Sequence, residues 1–145
     1  SPILQASNAN SVKVSEENLN IIKRAMEKVS LDEFGTGRNF RLGIKGVEMA
    51  GKTGTVQVRR ISTKERESEE GVIKNEDRIW EWRDHALYVG YAPMDKPRYA
   101  ISVIVEHGGS GSSKAGPIAR DIMEVTLTDD PTRIIPNNPL KKPII

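Results

Sequence analysis

The sequence predicts an α+β fold, an antiparallel sheet flanked by helices. Two segments, one beginning near residue 15 and one ending near residue 127, carry apolar residues at spacings of three and four, the period of a helix. The chain between them contains runs of β-branched and aromatic residues, which are typical of strands. Two of these runs are joined by a short proline-containing segment, so the two strands are expected to pair as an antiparallel hairpin.

The composition limits the class of protein. A length of 145 residues corresponds to one domain, and a formal net charge of +2 is too small for binding nucleic acid through overall charge. There is no cysteine, which excludes disulfides, thiolate metal sites and cysteine nucleophiles, and the two histidines do not predict a metal site. No apolar run is long enough to cross a membrane. We therefore expect no cofactor, no metal, no nucleic-acid partner and no membrane contact by this segment.

The first helix is predicted to follow residues 1–14, a polar stretch that we interpret as an extended lead-in. Ser15 is a suitable N-cap, because its hydroxyl can accept a hydrogen bond from a free N–H group of the first turn. The apolar face of the helix is expected to consist of Leu19, Ile22, Met26 and Val29. The helix is predicted to end at Gly35 and Gly37.

Two short strands are predicted next. Phe40, Leu42 and Ile44 alternate with other residues, and the segment from Lys52 to Ile61 is rich in threonine and valine. Ten of the fifteen residues 64–78 are charged. Because so polar a segment can bury little apolar surface, we expect a solvated, mobile loop there.

A hairpin is predicted after this loop. Its strands run from Ala86 to Tyr91 and from Tyr99 to Glu106. The second strand is almost continuously apolar, which predicts a central strand covered on both faces. The polar residues before the hairpin are interpreted as a local salt bridge with hydrogen bonds at the strand entrance: Arg83, Asp84 and His85.

A last helix is predicted after residues 108–113, a glycine- and serine-rich segment that we interpret as a flexible connection. Ser113 can cap this helix, and Pro117 falls in its first turn, where no backbone donor is needed. The apolar face is expected to consist of Ile118, Ile122 and Val125. Residues 128–145 contain four prolines and are interpreted as an extended or disordered tail.

The segment GVEMAGKTGT matches two different motifs, and each gives Lys52 a different role. Gly46, Gly51, Lys52 and Thr53 match the phosphate-binding pattern G-x-x-x-x-G-K-[ST]. That loop requires a buried strand before it and a helix that begins at the lysine, because the anion is bound at the helix N-terminus. Here a charged, alternating segment precedes the pattern and β-forming residues follow it. A nucleotide-binding loop is therefore the weaker interpretation.

The stronger interpretation is a K-T-G triplet within a strand, a motif of serine β-lactamases and penicillin-binding proteins. Lys52 supplies a positive charge that can bind a carboxylate and assist proton transfer. Thr53 and Thr55 alternate with it and present hydroxyls on one face of the strand. Gly54 has no side chain, so a peptide can lie against the backbone as an added strand. The N–H group of Thr55 is placed to help form an oxyanion hole.

Longer segments agree with this interpretation. The segments GVEMAGKTGTVQV, RDHALYVGYAP and VEHGGSGSSKAGPIAR occur in this order between Ser15 and Val125. In order and spacing the chain resembles the C-terminal part of the transpeptidase domain of class B penicillin-binding proteins, most of all their cell-elongation type, penicillin-binding protein 2. The charged segment 64–78 agrees only in position, and the resemblance does not extend to the tail.

The resemblance implies a partial β-lactamase/transpeptidase-like fold, in which residues 15–127 form the C-terminal portion of the domain with its last three strands and C-terminal helix. It implies D,D-transpeptidation of peptidoglycan stem peptides in cell-wall synthesis, with β-lactams acylating the same serine. The K-T-G residues Lys52, Thr53 and Gly54 would be catalytic, and Thr55 would bind substrate at the oxyanion hole. The implied location is the periplasmic face of the bacterial inner membrane, with an anchor outside this chain.

The nucleophile of that family is absent from this sequence. No serine stands three residues before a lysine, so there is no S-x-x-K, and there is no S-x-N. The chain is therefore predicted to be a fragment that neither hydrolyses nor covalently binds β-lactams by itself. The alternative from a different class is a non-catalytic module that docks peptides on the sheet edge.

The resemblance also predicts how the isolated chain would associate. In the family the strand from Tyr99 to Glu106 is interior and pairs with a strand from the missing half. Its edge would be bare here, which favours pairing between copies. We therefore predict a dimer or a larger species.

Overall fold

The computed structural model describes residues 13–69 and 71–129. The predicted lead-in up to residue 12 and the predicted tail from residue 130 lie outside the described residues. The helices and strands, in chain order, are α1 (Glu16–Leu31), β1 (Ala50–Val56), α2 (Thr63–Arg66), β2 (His85–Ala92), β3 (Tyr99–Val105) and α3 (Gly116–Asp129). Within the described residues no helix is long and apolar enough to span a bilayer.

The three strands form one antiparallel sheet in the order β1-β2-β3. Thr53 lies opposite Tyr88, and Tyr88 lies opposite Val103, so these three residues share one face of the sheet. The predicted hairpin is confirmed as the β2–β3 pair. In the part of the chain that the structure describes, no fourth strand pairs with the outer edge of β1 or of β3.

The core lies on the sheet face that carries Tyr88, which we call the core face. Tyr88 is fully buried and meets Phe40 edge-on, with ring centroids 5.3 Å apart. This geometry suits the opposed charges of an aromatic face and an aromatic edge. The buried core residues are Phe40, Leu42, Val47, Met49, Ala86, Tyr88, Ala92, Ala115, Ala119, Met123 and Leu127.

The opposite side of the sheet, which we call the open face, is much less covered. The register places Lys52 opposite Val89 and Gly54 opposite Leu87 on this face. Val89 and Ile104 are both exposed there although both are large and apolar. A sheet that buries one face and leaves apolar residues on the other has room for a second packing layer.

α1 begins as predicted. The hydroxyl of Ser15 accepts a hydrogen bond from the N–H group of Asn18, at 3.3 Å. The predicted apolar face, however, is not buried along its length: Leu19 and Ile22 are exposed, Met26 and Val29 are half-buried, and Ser30 alone is fully buried. Only the C-terminal end of α1 reaches the body of the protein.

The predicted strand at Phe40 to Ile44 is wrong. Residues Arg38–Phe40 form a turn of 3₁₀ helix, and no strand is present from 41 to 45. Phe40 is drawn inward by its contacts with Tyr88 and with the backbone at Gly116, where a Cβ atom would lie 2.4 Å from the Phe40 ring. Burial on Tyr88 decides its conformation, and alternation in the sequence does not. β1 also ends at Val56, five residues before the predicted end at Ile61.

The predicted cover of β3 on both faces is also wrong, whereas its predicted bare outer edge is present among the described residues. β3 is an edge strand, and its residues alternate between half-buried and exposed. Val103 faces the core, whereas Ser102 and Ile104 lie on the open face. A continuous apolar run does not distinguish a buried central strand from an edge strand whose apolar outer face is uncovered.

Two expectations for α3 are corrected by the structure. Ser113 does not cap it, because Gly111–Ala115 form a π-helical turn that leads into the helix at Gly116. The predicted apolar face is exposed at all three positions, and the helix instead buries Ala119, Met123 and Leu127. Pro117 does lie in the first turn, as predicted.

The charged segment 64–78, described apart from residue 70, contains secondary structure that the charge pattern did not predict. It contains α2 and a 3₁₀ turn at Asn75–Asp77, and it ends at Arg78, which is only 8% exposed. The Arg78 guanidinium donates to both oxygens of the Asp84 carboxylate at 3.2 Å. A charge count misses this pairing because it does not show which charges meet in the fold.

Candidate functional site

Lys52 lies within β1, between Gly51 and Thr53. The chain continues as a strand to Val56, so no helix begins at the lysine. A phosphate-binding loop needs that helix, because its N-terminal N–H groups bind the anion. The nucleotide-binding interpretation of the G-x-x-x-x-G-K-[ST] pattern is therefore wrong.

The Lys52 side chain is exposed on the open face. Its ammonium donates a hydrogen bond to the carbonyl oxygen of Thr53, at 2.8 Å. The ammonium therefore stays close to the backbone of β1, whose outer edge has no strand partner among the described residues. The carboxylate of a peptide that paired with that edge could meet it there.

Thr53 and Thr55 share the core face, as the alternation in sequence predicts. The hydroxyl of Thr53 lies 3.0 Å from the hydroxyl of Thr36, which comes from the segment after α1. Thr36 is a neighbour that the sequence did not indicate, because seventeen residues separate the two and no motif joins them. Thr55 is exposed opposite Ala86, close to the C-terminal end of β1.

Gly54 is approached from two sides. A Cβ atom at Gly54 would lie 3.3 Å from the Cβ of Leu87 on the neighbouring strand. The backbone of Gly54 is also contacted by Gly111, where a Cβ atom would lie 2.5 Å from the Gly54 oxygen and 2.9 Å from its nitrogen. The loop that follows β3 therefore lies directly against the K-T-G strand, which the sequence did not predict.

A cavity of about 550 Å³ lies next to this strand. It is lined by Thr36, Arg38, Ser112 and Ser113, with the exposed ring of Phe34 at its side. Thr36 connects it to the site through the contact with Thr53. Its lining is more apolar than polar, and its polar groups include one guanidinium, one carboxylate and several hydroxyls.

The loop from His107 to Gly111 has a defined path. His107 adopts a φ of 53°, and its N–H group donates to Nδ1 of His85 at 2.9 Å. The His107 ring lies between the rings of Trp80 and His85, with centroids 4.4 and 4.7 Å away. Its Nδ1 is 3.0 Å from the carbonyl oxygen of Arg83. These contacts connect His107, just after β3, to the segment that enters β2. The flexibility of residues 108–113 stays a prediction.

The hydrogen bonds predicted at the strand entrance for residues 83–85 are present, but the salt bridge is formed with a cation outside those residues. Asp84 pairs with Arg78 and not with its neighbour Arg83. Among residues 13–69 and 71–129, no three histidine, aspartate or glutamate side chains are grouped so that they could hold a metal ion.

A comparison with known families decides what this sheet and its K-T-G strand belong to. The family model for the penicillin binding protein transpeptidase domain matches residues 3–124 of the chain. The chain belongs to this transpeptidase family.

Individual members of this family are similar to the chain in sequence. The chain is 38% identical over 105 residues to the peptidoglycan D,D-transpeptidase MrdA of Haemophilus influenzae. That match covers 72% of this chain and 15% of the relative, so the chain spans a small part of the relative's length.

Solved structures of penicillin-binding proteins have a fold similar to that of the chain. The PBP2 of Helicobacter pylori, in a complex with MreC, superimposes with a TM-score of 0.58 at 31% identity, covering 77% of this chain and 17% of that one. The PBP2 of Pseudomonas aeruginosa, in a complex with WCK 5153, gives 0.58 at 28% identity, covering 92% and 24%. The resemblance to penicillin-binding protein 2 and the partial transpeptidase fold are confirmed.

Proposed function

We propose that this transpeptidase segment is the K-T-G part of a peptidoglycan D,D-transpeptidase that cross-links stem peptides in cell-wall synthesis and is acylated by β-lactams. Residues 15–127 are its C-terminal portion. The observation that carries the proposal is a K-T-G triplet on the strand whose outer edge has no partner among the described residues. An extended peptide can pair there as an added strand.

The four site residues have separate roles in this proposal. Lys52 binds the terminal carboxylate of the peptide and assists proton transfer to and from the reacting groups. The Thr53 hydroxyl, at 3.0 Å from Thr36, is held in one place and orients the substrate. Gly54 leaves room for the peptide backbone, and the N–H group of Thr55 contributes to the oxyanion hole.

The nucleophile comes from another part of the parent protein in this proposal. The sequence contains no S-x-x-K and no S-x-N. The open face supports the idea, because Lys52 and Gly54 lie there beside the exposed apolar residues Val89 and Ile104. A second layer that carried the serine would bury these residues and bring the serine to Lys52. The proposed location is the periplasmic face of the bacterial inner membrane.

Covalent labelling with a fluorescent penicillin tests the proposal. The protein that contains this segment should be labelled, and its Lys52→Ala variant should be labelled about a hundredfold more slowly or worse, as expected when a general acid–base group is lost. Lys45→Ala, at an exposed lysine outside β1, is the control and should react at the wild-type rate. The 145-residue chain by itself should not be labelled.

Two results would contradict this proposal. Stoichiometric labelling of the isolated chain would show that the nucleophile is within it. Absence of labelling of the whole protein, together with binding of stem peptides at the β1 edge, would favour a non-catalytic peptide-docking module.

A further inference from the structure

Asp84 is in contact with three separate segments of the protein. Its carboxylate accepts two hydrogen bonds from Arg78 at 3.2 Å and one from the N–H group of Val58 at 3.4 Å. Its own N–H group donates to the Asn75 side-chain oxygen at 2.8 Å. Its carbonyl oxygen accepts from the N–H group of Gly109 at 2.8 Å.

Two of these contacts lead to the K-T-G strand. Val58 follows the end of β1 by two residues, so the Asp84 carboxylate holds the chain as it leaves that strand. Gly109 belongs to the loop whose Gly111 lies against the backbone of Gly54. Asp84 therefore holds both the strand that carries the K-T-G motif and the loop that covers it.

Asp84 is itself held rigidly. Arg78 and Asp84 are each only 8% exposed, and Arg78 also donates to the Ile73 carbonyl oxygen at 3.0 Å and to Asn75 at 3.3 Å. The fit at Gly109 is close, since φ is 84° there and a Cβ atom would lie 2.5 Å from the Asn75 amide nitrogen. One guanidinium nitrogen of Arg78, Nη1, donates to both oxygens of the carboxylate, and these charge-assisted hydrogen bonds orient the Asp84 side chain.

A buried ion pair of this kind is poor evidence for net stability, because desolvation of the charges offsets much of their attraction. What it does supply is a fixed geometry among the groups that it joins. We propose that Asp84, oriented by Arg78 and Asn75, is a positioning residue for the K-T-G strand. It sets the distance between Gly54 and the 108–111 loop, and thereby the place where the substrate carbonyl meets the N–H group of Thr55. The catalytic part of this inference rests on the proposed function.

Hydrogen exchange of the 145-residue chain tests the positioning without any need for activity. In Asp84→Asn, amides in 53–55 and 108–111 should exchange about tenfold faster, the change expected from one lost hydrogen bond to a charged group. Amides in α3 at 118–127 should be unchanged. Asp121→Asn is the control, because Asp121 is exposed and pairs only at the surface with Arg120. If Asp84→Asn does not fold, Asn75→Ala removes the acceptor for the Asp84 N–H group and keeps the ion pair.

Penicillin labelling of the whole protein then separates positioning from folding. A merely structural role would lower the labelled fraction of Asp84→Asn and leave the rate constant of that fraction unchanged. Positioning predicts a rate constant about tenfold lower at an unchanged labelled fraction. Wild-type exchange at 53–55 and 108–111, or a wild-type rate constant in a variant that shows faster exchange, would overturn the inference. A wild-type protein that is not labelled at all refutes the proposed function instead, and the exchange result still decides the positioning.

Discussion

Gly51 and Gly54 stand three residues apart on β1 but face opposite surroundings. Gly51 is on the core face, where a Cβ atom would lie 2.0 Å from the Tyr88 hydroxyl and 2.6 Å from the Val89 carbonyl oxygen. Gly54 is on the open face, where the nearest atom to a Cβ is 3.3 Å away. Gly51 is therefore required by packing, whereas a methyl group at Gly54 would closely meet only the Leu87 side chain.

The substitution Gly51→Ala is expected to destabilise the fold by about 1–3 kcal/mol or more, because the added methyl overpacks a buried aromatic ring. Gly54→Ala should cost less, and in the whole protein it should reduce acylation by β-lactams. Urea unfolding of the two variants measures the difference. Equal unfolding midpoints for Gly51→Ala and wild type would show that Tyr88 is not packed as described.

Tyr88 gives the fold a dependence on alkaline pH. Burial, partly offset by the neighbouring Ser30 hydroxyl, raises the pKa of Tyr88 from 10.0 to about 12. Because the folded pKa is the higher one, the unfolded chain loses the Tyr88 proton first as pH rises. The free energy of unfolding is therefore unaffected by Tyr88 below pH 10 and falls as pH rises from about 10 to 12. The loss should reach about 2–3 kcal/mol.

Unfolding free energies at pH 9 and pH 11.5 check this expectation. Tyr88→Phe keeps the ring and removes the ionisable group, so its stability should fall less over this range than that of the wild type. Identical losses in the two proteins would place the alkaline sensitivity elsewhere.

At the scale of elements, α3 carries two apolar stripes and buries only one. Ala119, Met123 and Leu127 pack on the core face, while Ile118, Ile122 and Val125 are exposed. Both stripes have helical spacing, so the hydrophobic pattern alone cannot decide between them. Tertiary packing makes the choice, because only the stripe that meets the sheet is buried.

Truncation to alanine distinguishes the two stripes. Met123→Ala should lower the free energy of unfolding by about 2–5 kcal/mol, since Met123 is 2% exposed and its removal leaves a cavity. Ile122→Ala, one position earlier on the exposed stripe, should change it by less than about 1 kcal/mol. Chemical denaturation of both variants measures this difference. Similar losses of unfolding free energy for the two variants would contradict the assignment of the buried and exposed faces.

At the scale of the whole molecule, the sheet is uncovered on one face and along one strand edge. The open face exposes Val89 and Ile104, and the outer edge of β3 has no strand partner within the described residues. Strand edges of this kind pair readily with another chain unless charges or bulges block them. The predicted association of the isolated chain through β3 follows from this arrangement.

Light scattering across a concentration series should therefore detect dimers or larger species. Ile104→Lys should shift them toward monomer, because a charge on an edge strand opposes pairing. Val125→Lys is a matched control, as Val125 on α3 is 63% exposed and Ile104 is 64% exposed. A wild-type chain that stays monomeric at high concentration, or equal effects of the two substitutions, would contradict association through β3.

The sequence by itself determined the features that depend on local signals. Ser15 as a helix cap, the β2–β3 hairpin, and Lys52 as a strand residue all follow from neighbours within a few positions. The family also follows from the sequence, because the motifs that identify it are contiguous segments.

Only the tertiary structure decided how distant segments meet. The burial of Phe40 on Tyr88, the choice between the stripes of α3, the Thr36–Thr53 contact and the Arg78–Asp84 pair join residues from different elements. The physical reason is that burial and charge pairing depend on which surfaces come together, and this is a property of the packed chain. The local sequence shows that a residue is apolar or charged, but the residue that it contacts is determined by packing.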